Sequence, residues 1–317
     1  MTDLRAMVQQ AWEIRKGFKP EISFSVPGTK HYDNACYSNR PFSFAHLSVT
    51  GEACACRCAH CEGALLKTMI GATSPQTMRR AVDNLLKKGC RGILVSGGSD
   101  ANGEVPLQPF AEAMGYAKRM GFKVLVHGGL IQQETAAMLK EAGVDQVLMD
   151  VIGDVATLRE VCHLDRKPDD YLQSMLCCRD AGLSIAPHIV IGLHFGQIRG
   201  EWLSLEMIRQ ADPEMIVLVI LAPARGTAMA GIHPPSTDDA AEIMAAARIS
   251  NPATPITLGC ARPPGNYKRR AETDAVDCGL NGIAYPDEET VAYAQAKGLK
   301  TVFSEYCCSL PILSAHP

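Results

Sequence analysis

Short apolar runs alternate along this chain with longer segments in which apolar residues recur at helical spacing. An apolar run of about four to eight residues between turn residues is typical of a buried strand. Runs of this kind recur from residue 44 onward, each followed by a helical segment. The pattern predicts strands at 44–49, 92–96, 123–127, 146–150, 184–191, 215–221, 256–259 and 282–285.

The segments between these strands carry start and stop signals for helices. Ser74 is a predicted N-cap, Pro75 occupies the first helical position, and Gly89 supplies the C-terminal stop. Residues 1–12 alternate polar and apolar positions and predict a short amphipathic helix. Further helices are predicted at 74–88, 107–120, 132–142, 169–181, 200–211, 237–248 and 287–297.

Eight strand–helix steps in succession indicate parallel strands joined by helical crossovers. We expect an α/β fold, a (β/α)8 TIM-type barrel that is complete or partly open, with a doubly wound open sheet as the alternative. The barrel is predicted at 42–300, between a short N-terminal extension at 1–41 and a C-terminal tail at 301–317.

Composition narrows the function classes. The 317 residues are 47% hydrophobic and 21% charged, as in a globular protein in water, and the formal net charge of −3 argues against a nucleic-acid partner. The longest apolar run, 215–222, is too short to span a membrane. Thirteen cysteines without a signal-peptide pattern favour reduced thiols, metal ligation and a cytoplasmic location.

Cys54, Cys58 and Cys61 place three thiols within eight residues, directly after the first predicted strand. Such a tight set suits a 4Fe–4S cluster in which one iron has no protein ligand and stays open to another molecule. Structural zinc sites usually need a second pair of cysteines at a distance that this chain does not offer after Cys61. Cys56 alternates with the ligand positions, so its side chain is predicted to point away, as a small buried residue or a spare ligand.

This spacing, with His60 before the last cysteine, resembles the signature of the radical S-adenosylmethionine (SAM) superfamily. The resemblance implies that the open iron chelates SAM and that an electron from the cluster cleaves it. The 5′-deoxyadenosyl radical so formed abstracts hydrogen from unactivated carbon.

Polar residues and glycines follow the next predicted strands, at the barrel end where functional groups gather. The Ser96-Gly97-Gly98 turn resembles a variant of the superfamily motif that binds the amino group of SAM, although the motif's glutamate is missing. An acidic residue at a strand end can bind ribose hydroxyls. The predicted cofactor-binding residues are Ser96, Gly97, Gly98, His127, Asp150 and His188.

From about residue 41 to 227 the chain resembles the biotin-synthase-like branch of this superfamily. Residues 161–165, 187–194 and 258–263 are similar to biotin-synthase-related subunits of the two-component, archaeal-type lipoyl synthase. The resemblance implies insertion of sulfur into the octanoyl chain of a carrier protein. It also implies an octanoylated or lipoylated carrier, a second radical SAM subunit and an electron donor such as ferredoxin as partners.

Sulfur insertion of this type implies an auxiliary 4Fe–4S cluster that is consumed as the sulfur donor. Its predicted ligands are Cys260, Cys307, Cys308 and Cys36, of which Cys260 ends a predicted strand. Because biotin synthase uses an arginine at its sulfur-donating cluster, Arg262 is predicted to act together with Cys260. Free cysteines are also common as small core residues, and adjacent cysteines are awkward ligands of one centre. The remaining cysteines near helices, Cys90, Cys162, Cys177 and Cys178, are predicted to be core or surface residues.

Two alternatives remain at this point. One is another radical reaction of the biotin-synthase-like branch, such as a rearrangement, a methylation or the maturation of a cofactor. The other is a non-catalytic protein, either an iron–sulfur electron carrier or a zinc-stabilised binding protein.

Overall fold

The structure, a computed structural model, describes residues 3–310 and contains one large parallel sheet. Its strands follow the order β11-β1-β10-β9-β8-β7-β6-β5-β4-β2-β3. In chain order they are β1 Glu21–Ser25, β2 Phe44–Ser48, β3 Ile70–Gly71, β4 Gly92–Ser96, β5 Lys123–His127, β6 Gln146–Asp150, β7 Ile185–Ile191, β8 Ile216–Ile220, β9 Ile256–Leu258, β10 Gly282–Ala284 and β11 Lys300–Ser304.

The order of the strands decides between the two predicted architectures. From β2 through β4 to β10, successive long strands of the chain are neighbours and the winding never reverses. A doubly wound sheet would reverse its strand order part-way, whereas a barrel does not. The prediction of an α/β barrel is therefore confirmed, in its partly open form. All eight predicted strands are present, with ends within one residue of the predicted ones.

The sheet also contains strands that the hydrophobic pattern did not reveal. β1 lies in the predicted N-terminal extension and β11 in the predicted C-terminal tail, and both join the barrel sheet in parallel. β1 pairs with β10 on one side and with β11 on the other. Both terminal segments therefore continue the barrel wall.

Helices cover the outside of the sheet. The helix after Ser74 forms as predicted, with a capping box between Ser74 and Thr77 and with Pro75 in its first turn. Within residues 3–310, no helix combines the length and the apolar character that crossing a membrane requires. The helices are α1 Leu4–Arg15, α2 Pro75–Lys87, α3 Ala111–Arg119, α4 Gln133–Glu141, α5 Val155–Glu160, α6 Pro168–Asp180, α7 Glu201–Ala211, α8 Thr237–Ser250, α9 Asn266–Asp277 and α10 Glu288–Ala296.

Alternation along the strands produces two apolar cores. In β5, Val124 and Val126 face the outer core beneath the helices, whereas Leu125 faces the inner core of the barrel. The inner core also contains residues from strands all around the sheet, including Phe44, Leu148, Ala186, Val217 and Val219.

Residues 26–43 close the gap between the two ends of the curled sheet. The backbone N–H of Gly28 donates to Ser43 Oγ at 2.9 Å, and a Cβ at position 28 would lie 2.2 Å from a carbonyl oxygen. The ring of Tyr37 stacks on Phe303 of β11 with 4.8 Å between centroids. This segment therefore ties β1 and β11 to the start of β2.

Candidate active site

The loop after β2 carries the three predicted ligand cysteines, and we call residues 53–62 the cluster loop. Cys54, Cys58 and Cys61 are all partly buried within it. Two residues of the loop, Arg57 and Glu62, adopt left-handed backbone conformations with φ of 41° and 44°. Such conformations cost free energy outside glycine and persist where surrounding contacts enforce them.

The turn after β4 is the first of three segments that hold the cluster loop. A Cβ at Gly98 would lie 2.0 Å from the carbonyl oxygen of Ala53, so only glycine allows this approach. The N–H of Gly98 donates to Thr50 Oγ1 at 2.7 Å, and Ala55 N–H donates to the carbonyl of Ser99 at 2.8 Å. The predicted glycine turn thus packs directly against the cluster loop.

The second segment follows α5. Ala59 N–H donates to the carbonyl of Val161 at 2.7 Å, and His163 Nδ1 lies 2.9 Å from the carbonyl oxygen of Cys56. The thiol of Cys58 lies 3.7 Å from the carbonyl oxygen of Cys162. Cys162, which was predicted as a core or surface residue, is buried, but sequence reasoning missed that it lies beside a predicted ligand cysteine.

The third segment is the loop between β8 and α8. Its residue Ala224 donates its N–H to the carbonyl of His60 at 2.9 Å, and Met229 donates to the carbonyl of Ala59 at 3.2 Å. Ala228 N–H donates to Glu62 Oε1 at 2.7 Å. The cluster loop is therefore hydrogen-bonded to loops that follow β4, β6 and β8.

The thiols of the cluster loop differ in acidity. A hydrogen bond from the Cys56 thiol, helped by nearby backbone N–H groups, lowers the pKa of Cys54 to about 5 against the effect of burial. Contact with Cys58, followed by burial, raises the pKa of Cys61 to about 12. The pKa of Cys58 is raised as well, first by Cys162. Cys54 is therefore the ligand that is a thiolate at neutral pH.

Cys56 lies in the same loop in a different environment. It is buried, and its sulfur lies 3.1 Å from the carbonyl oxygen of Asp100. Because it also hydrogen-bonds Cys54, its side chain remains next to the ligand set. A buried structural residue and a spare ligand thus both stay open as interpretations.

The cluster loop offers the donor set of a 4Fe–4S cluster. Such a cluster takes thiolates as ligands, and Cys54, Cys58 and Cys61 supply three partly buried thiols from one short loop. His60 Nδ1 is buried in this loop without a hydrogen-bond partner among the described residues, which leaves a polar atom for a ligand to satisfy.

His127 and Asp150 end the neighbouring strands β5 and β6, and His188 lies within β7 opposite Asp150, so the structure brings these predicted residues together. His127 Nε2 lies 3.8 Å from Asp150 Oδ1, and the rings of His127 and His188 meet edge to face at 5.6 Å. Burial, helped by His127, lowers the pKa of His188 to about 4. His188 is therefore neutral near pH 7. Against the effect of burial, the Cys61 thiol and, to a smaller extent, Asp150 raise the pKa of His60.

Sequence reasoning missed His46 as a lining residue of the barrel. It alternates with Ala45 and Leu47 of the outer core, and its ring contacts the inner-core residue Phe44 at 6.0 Å. Burial lowers the pKa of His46 to about 4. His46 lies two residues after the start of β2, on the strand face that alternation assigns to the barrel interior. This position was the signal that could have identified it.

Three predicted auxiliary ligands also lie together. Cys260 follows β9, and Cys307 and Cys308 follow β11. Cys260 is accessible to solvent, yet the surrounding protein and then Cys307 raise the pKa of its thiol. The Cys308 thiol and Ser309 lower the pKa of Cys307 to about 7. All three cysteines act electrostatically on the hydroxyl of Tyr285, so all three lie near this inner-core residue.

The structure does not bring Cys36 into this group. Cys36 is exposed and acts on the pKa of Tyr32, whereas Cys260 has Cys307, Arg262 and Lys30 as its charged neighbours. Its predicted role as a ligand has no geometric support.

Arg262 lies near Cys260 but is occupied by other contacts. Its guanidinium is buried, forms an ion pair with Glu272, and donates to the carbonyls of Gly259 at 2.7 Å and Tyr285 at 3.1 Å. These contacts tie β9, α9 and the end of β10 together. The predicted catalytic role of Arg262 remains a prediction beside this structural one.

Comparison with known protein families identifies the first of these two sites. The profile described as the radical SAM superfamily matches residues 48–205, from β2 to α7. The chain carries a radical SAM superfamily domain. The matched region includes the cluster loop and the polar strand ends of β4 to β7, whereas Cys260, Cys307 and Cys308 lie outside it.

Individual relatives support the biotin-synthase-like branch. Biotin synthase of Prochlorococcus marinus subsp. pastoris is 25% identical over 253 residues, which cover 76% of this chain and 73% of the relative. The crystal structure of methylornithine synthase covers 94% of this chain and 89% of its own, with a TM-score of 0.64 and 15% identity. HydG, a maturase of the FeFe-hydrogenase, covers 96% of this chain and 69% of its own, with a TM-score of 0.67 and 15% identity. At 15% identity, these two structures show the shared fold alone. The protein is thus a radical SAM enzyme related to biotin synthase.

Proposed function

We propose that this enzyme inserts sulfur into an aliphatic chain, and that its substrate is the octanoyl chain of a carrier protein, as in lipoyl synthesis. The observation that carries the proposal is the second group of thiols, Cys260, Cys307 and Cys308, in the same barrel as the cluster loop. A radical enzyme that only rearranges its substrate needs no such group, whereas sulfur insertion needs a sulfur source.

Two sets of residues would hold the cofactors. Cys54, Cys58 and Cys61 would hold the cluster that binds SAM, and the second group would hold an auxiliary cluster. When bound, the first cluster supplies the electron that cleaves SAM and the second supplies sulfur. The thiolate character of Cys54 and the lowered pKa of Cys307 give each set a ligand that needs little deprotonation.

The protein's own contribution is positioning. His127, Asp150 and His188 offer a carboxylate and an uncharged imidazole on the adjacent strands β5, β6 and β7, where the ribose and the amino group of SAM would be held. Between the two sets of cysteines the inner wall is apolar, which suits a hydrocarbon chain and excludes water from a carbon radical. This wall includes Leu94, Leu125, Leu148, Val190, Val217 and Val219.

The proposed partners follow from this reaction. They are an octanoylated or lipoylated carrier protein, a second radical SAM subunit and an electron donor such as ferredoxin. The basic residues Lys268, Arg269 and Arg270 on α9 give no support to carrier docking, because each lies in an ion pair with an acidic residue.

The test combines metal analysis with product analysis. The protein is reconstituted anaerobically with iron and sulfide, reduced, and incubated with SAM and an octanoylated carrier domain. We expect about eight irons per chain, formation of 5′-deoxyadenosine, and a carrier whose mass increases by sulfur. About four irons per chain, with 5′-deoxyadenosine formed but the carrier unchanged, would overturn sulfur insertion and favour another radical reaction.

A further inference from the structure

We propose that the segment Val161–His163 clasps the cluster loop and that His163 is a positioning residue for the ligand cysteines. The inference rests on the proposed role of Cys54, Cys58 and Cys61 as cluster ligands. It assigns a role to a segment that neither the radical mechanism nor the auxiliary site uses.

The clasp contacts the part of the loop that lies between the first and last ligands. His163 reaches the carbonyl of Cys56, the carbonyl of Cys162 lies 3.7 Å from the Cys58 thiol, and Val161 accepts from Ala59. The contacts therefore fall on Cys56, Cys58 and Ala59, that is, on the middle ligand and on residues beside it. A loop held at residues 56 and 59 has little freedom to change the distance between the thiols at 54, 58 and 61.

The hydrogen bond of His163 has a defined direction. A carbonyl oxygen only accepts, so Nδ1 of His163 carries the proton and donates to Cys56. His163 also has a left-handed backbone with φ of 57°, a conformation that only a few per cent of residues other than glycine adopt. The strain and the hydrogen bond together indicate that this side chain is held in place by its contact with the loop.

The clasp is anchored on the barrel and is not a free loop. Asp154 caps α5 by accepting from Thr157 N–H at 2.8 Å, and Leu164 N–H donates to the carbonyl of Leu158 at 2.8 Å. The side chain of Leu164 is buried and packs near Gly103. Because α5 follows β6 directly, the clasp couples the geometry of the cluster loop to the strand that ends in Asp150.

Two substitutions separate the side chain from the backbone at this position. His163→Asn keeps a short N–H donor in the place of Nδ1 and tolerates the left-handed backbone. His163→Gly also accepts the backbone but removes the donor. Asp165→Ala is the matched control, because the side chain of Asp165 in the same segment is 99% exposed and reaches only Arg159, at 3.9 Å.

The experiment uses the full chain, reconstituted anaerobically, and measures cleavage of SAM, the Michaelis constant for SAM, and the electron paramagnetic resonance spectrum of the reduced cluster. Hydrogen bonding and solvent access near thiolate ligands tune a cluster, so the spectrum reports its positioning. We expect His163→Gly to shift the spectrum and slow cleavage about tenfold, the size of one lost hydrogen bond. His163→Asn and Asp165→Ala should stay within about twofold of the unaltered protein.

Other results would overturn the inference. An unchanged spectrum and rate in His163→Gly would show that the loop does not need the clasp. Equal losses in the Gly and Asn variants, with a lower unfolding temperature in both, would assign His163 a structural role only. Cys58→Ala is measured in parallel: if that variant keeps its cluster, the proposed ligand set fails, and this failure is distinct from failure of the clasp.

Discussion

The two groups of cysteines in this barrel are built in opposite ways. Cys54, Cys58 and Cys61 come from one short loop, which three other loops hold by backbone hydrogen bonds. Cys260 and the pair Cys307–Cys308 come from the ends of β9 and β11 and meet only because those strands lie in one sheet. The first group is therefore set by local sequence and held by the surrounding loops, whereas the second forms only when the fold brings distant strands together.

This difference has a chemical counterpart. The cluster loop contains one strongly acidic thiol, Cys54, whose neighbours Cys58 and Cys61 have raised pKa values. In the second group the pKa of Cys307 is lowered to about 7, while those of Cys260 and Cys308 are raised. Each group thus offers one thiol of lowered pKa. The first group lies in one short loop that three others hold, whereas the second is drawn from two separate strand ends.

The largest effect is expected from Cys58→Ala, which removes a proposed ligand of the first group. With two of the three proposed ligand thiols left, the loop should lose its cluster, and SAM cleavage should fall to background because no open iron remains. Iron content and 5′-deoxyadenosine are measured after anaerobic reconstitution. Cys56→Ala is the matched control from the same loop. If Cys56→Ala also abolished cleavage, its thiol would be a ligand and not a buried neighbour.

Cys260→Ala should separate the two groups. We expect the variant to cleave SAM but to transfer no sulfur, with iron falling from about eight to about four per chain. The buried Cys278, whose thiol donates to Ala241 at 3.4 Å in the outer core, provides the control Cys278→Ala. Loss of SAM cleavage in Cys260→Ala alone would mean that the groups are not independent.

Gly98→Ala tests the bracing of the first group. The new Cβ would overlap the backbone at Ala53, so the cluster loop must move, at a cost of roughly 1–3 kcal/mol in unfolding free energy. Denaturant unfolding and cluster content are the measurements. Gly71→Ala is the control, since a Cβ there meets nothing within 4 Å. Equal effects at the two positions would contradict a specific contact.

The smallest expected effect concerns the neutral histidines between the two groups. The pKa values of His46 and His188 are lowered to about 4 by burial, against a usual value of 6.5. Below pH 6.5 the unfolded chain therefore binds more protons than the folded chain. Because of this difference, the contribution of these histidines to the free energy of unfolding is largest above pH 6.5 and falls progressively toward pH 4. Urea unfolding at pH 7.5 and pH 5 should show this decrease in the free energy of unfolding, and the decrease should be smaller in His46→Leu. The exposed His31 gives the control His31→Gln, which should leave the pH dependence unchanged.

Much of the fold could be predicted because its strands are apolar runs between turn residues. The strands missed were the two-residue β3 and the strands β1 and β11, which contain polar residues and lie outside the eight predicted strand–helix steps. Glu21–Ser25 precedes a stretch rich in turn and aromatic residues, and Lys300–Ser304 is partly exposed, so neither shows the continuous hydrophobicity of a buried parallel strand. Their pairing is a tertiary event.

The residues of the candidate site also divide into those that were predictable from the sequence and those that were not. Cys54, Cys58 and Cys61 were predictable because their spacing alone indicates a cluster. The contact of His163 with Cys56 was not, since the two residues lie 107 positions apart and meet through the packing of α5. The position of Cys36 was not predictable either: it is a candidate ligand by sequence but lies beside Tyr32. Spacing reveals ligands that are neighbours in the chain, and the topology selects the others.

The pairing of β11 with β1 has a consequence for the order in which the protein matures. β1 lies between β10 and β11, so β11 joins the sheet through a strand that is synthesised before the cluster loop. The ribosome has completed the cluster loop long before β11 emerges. Cys307 and Cys308 can therefore reach Cys260 only after the other strands of the sheet have been synthesised. We expect iron to enter the first group before the second, so that a species loaded only at the first group should accumulate under iron shortage.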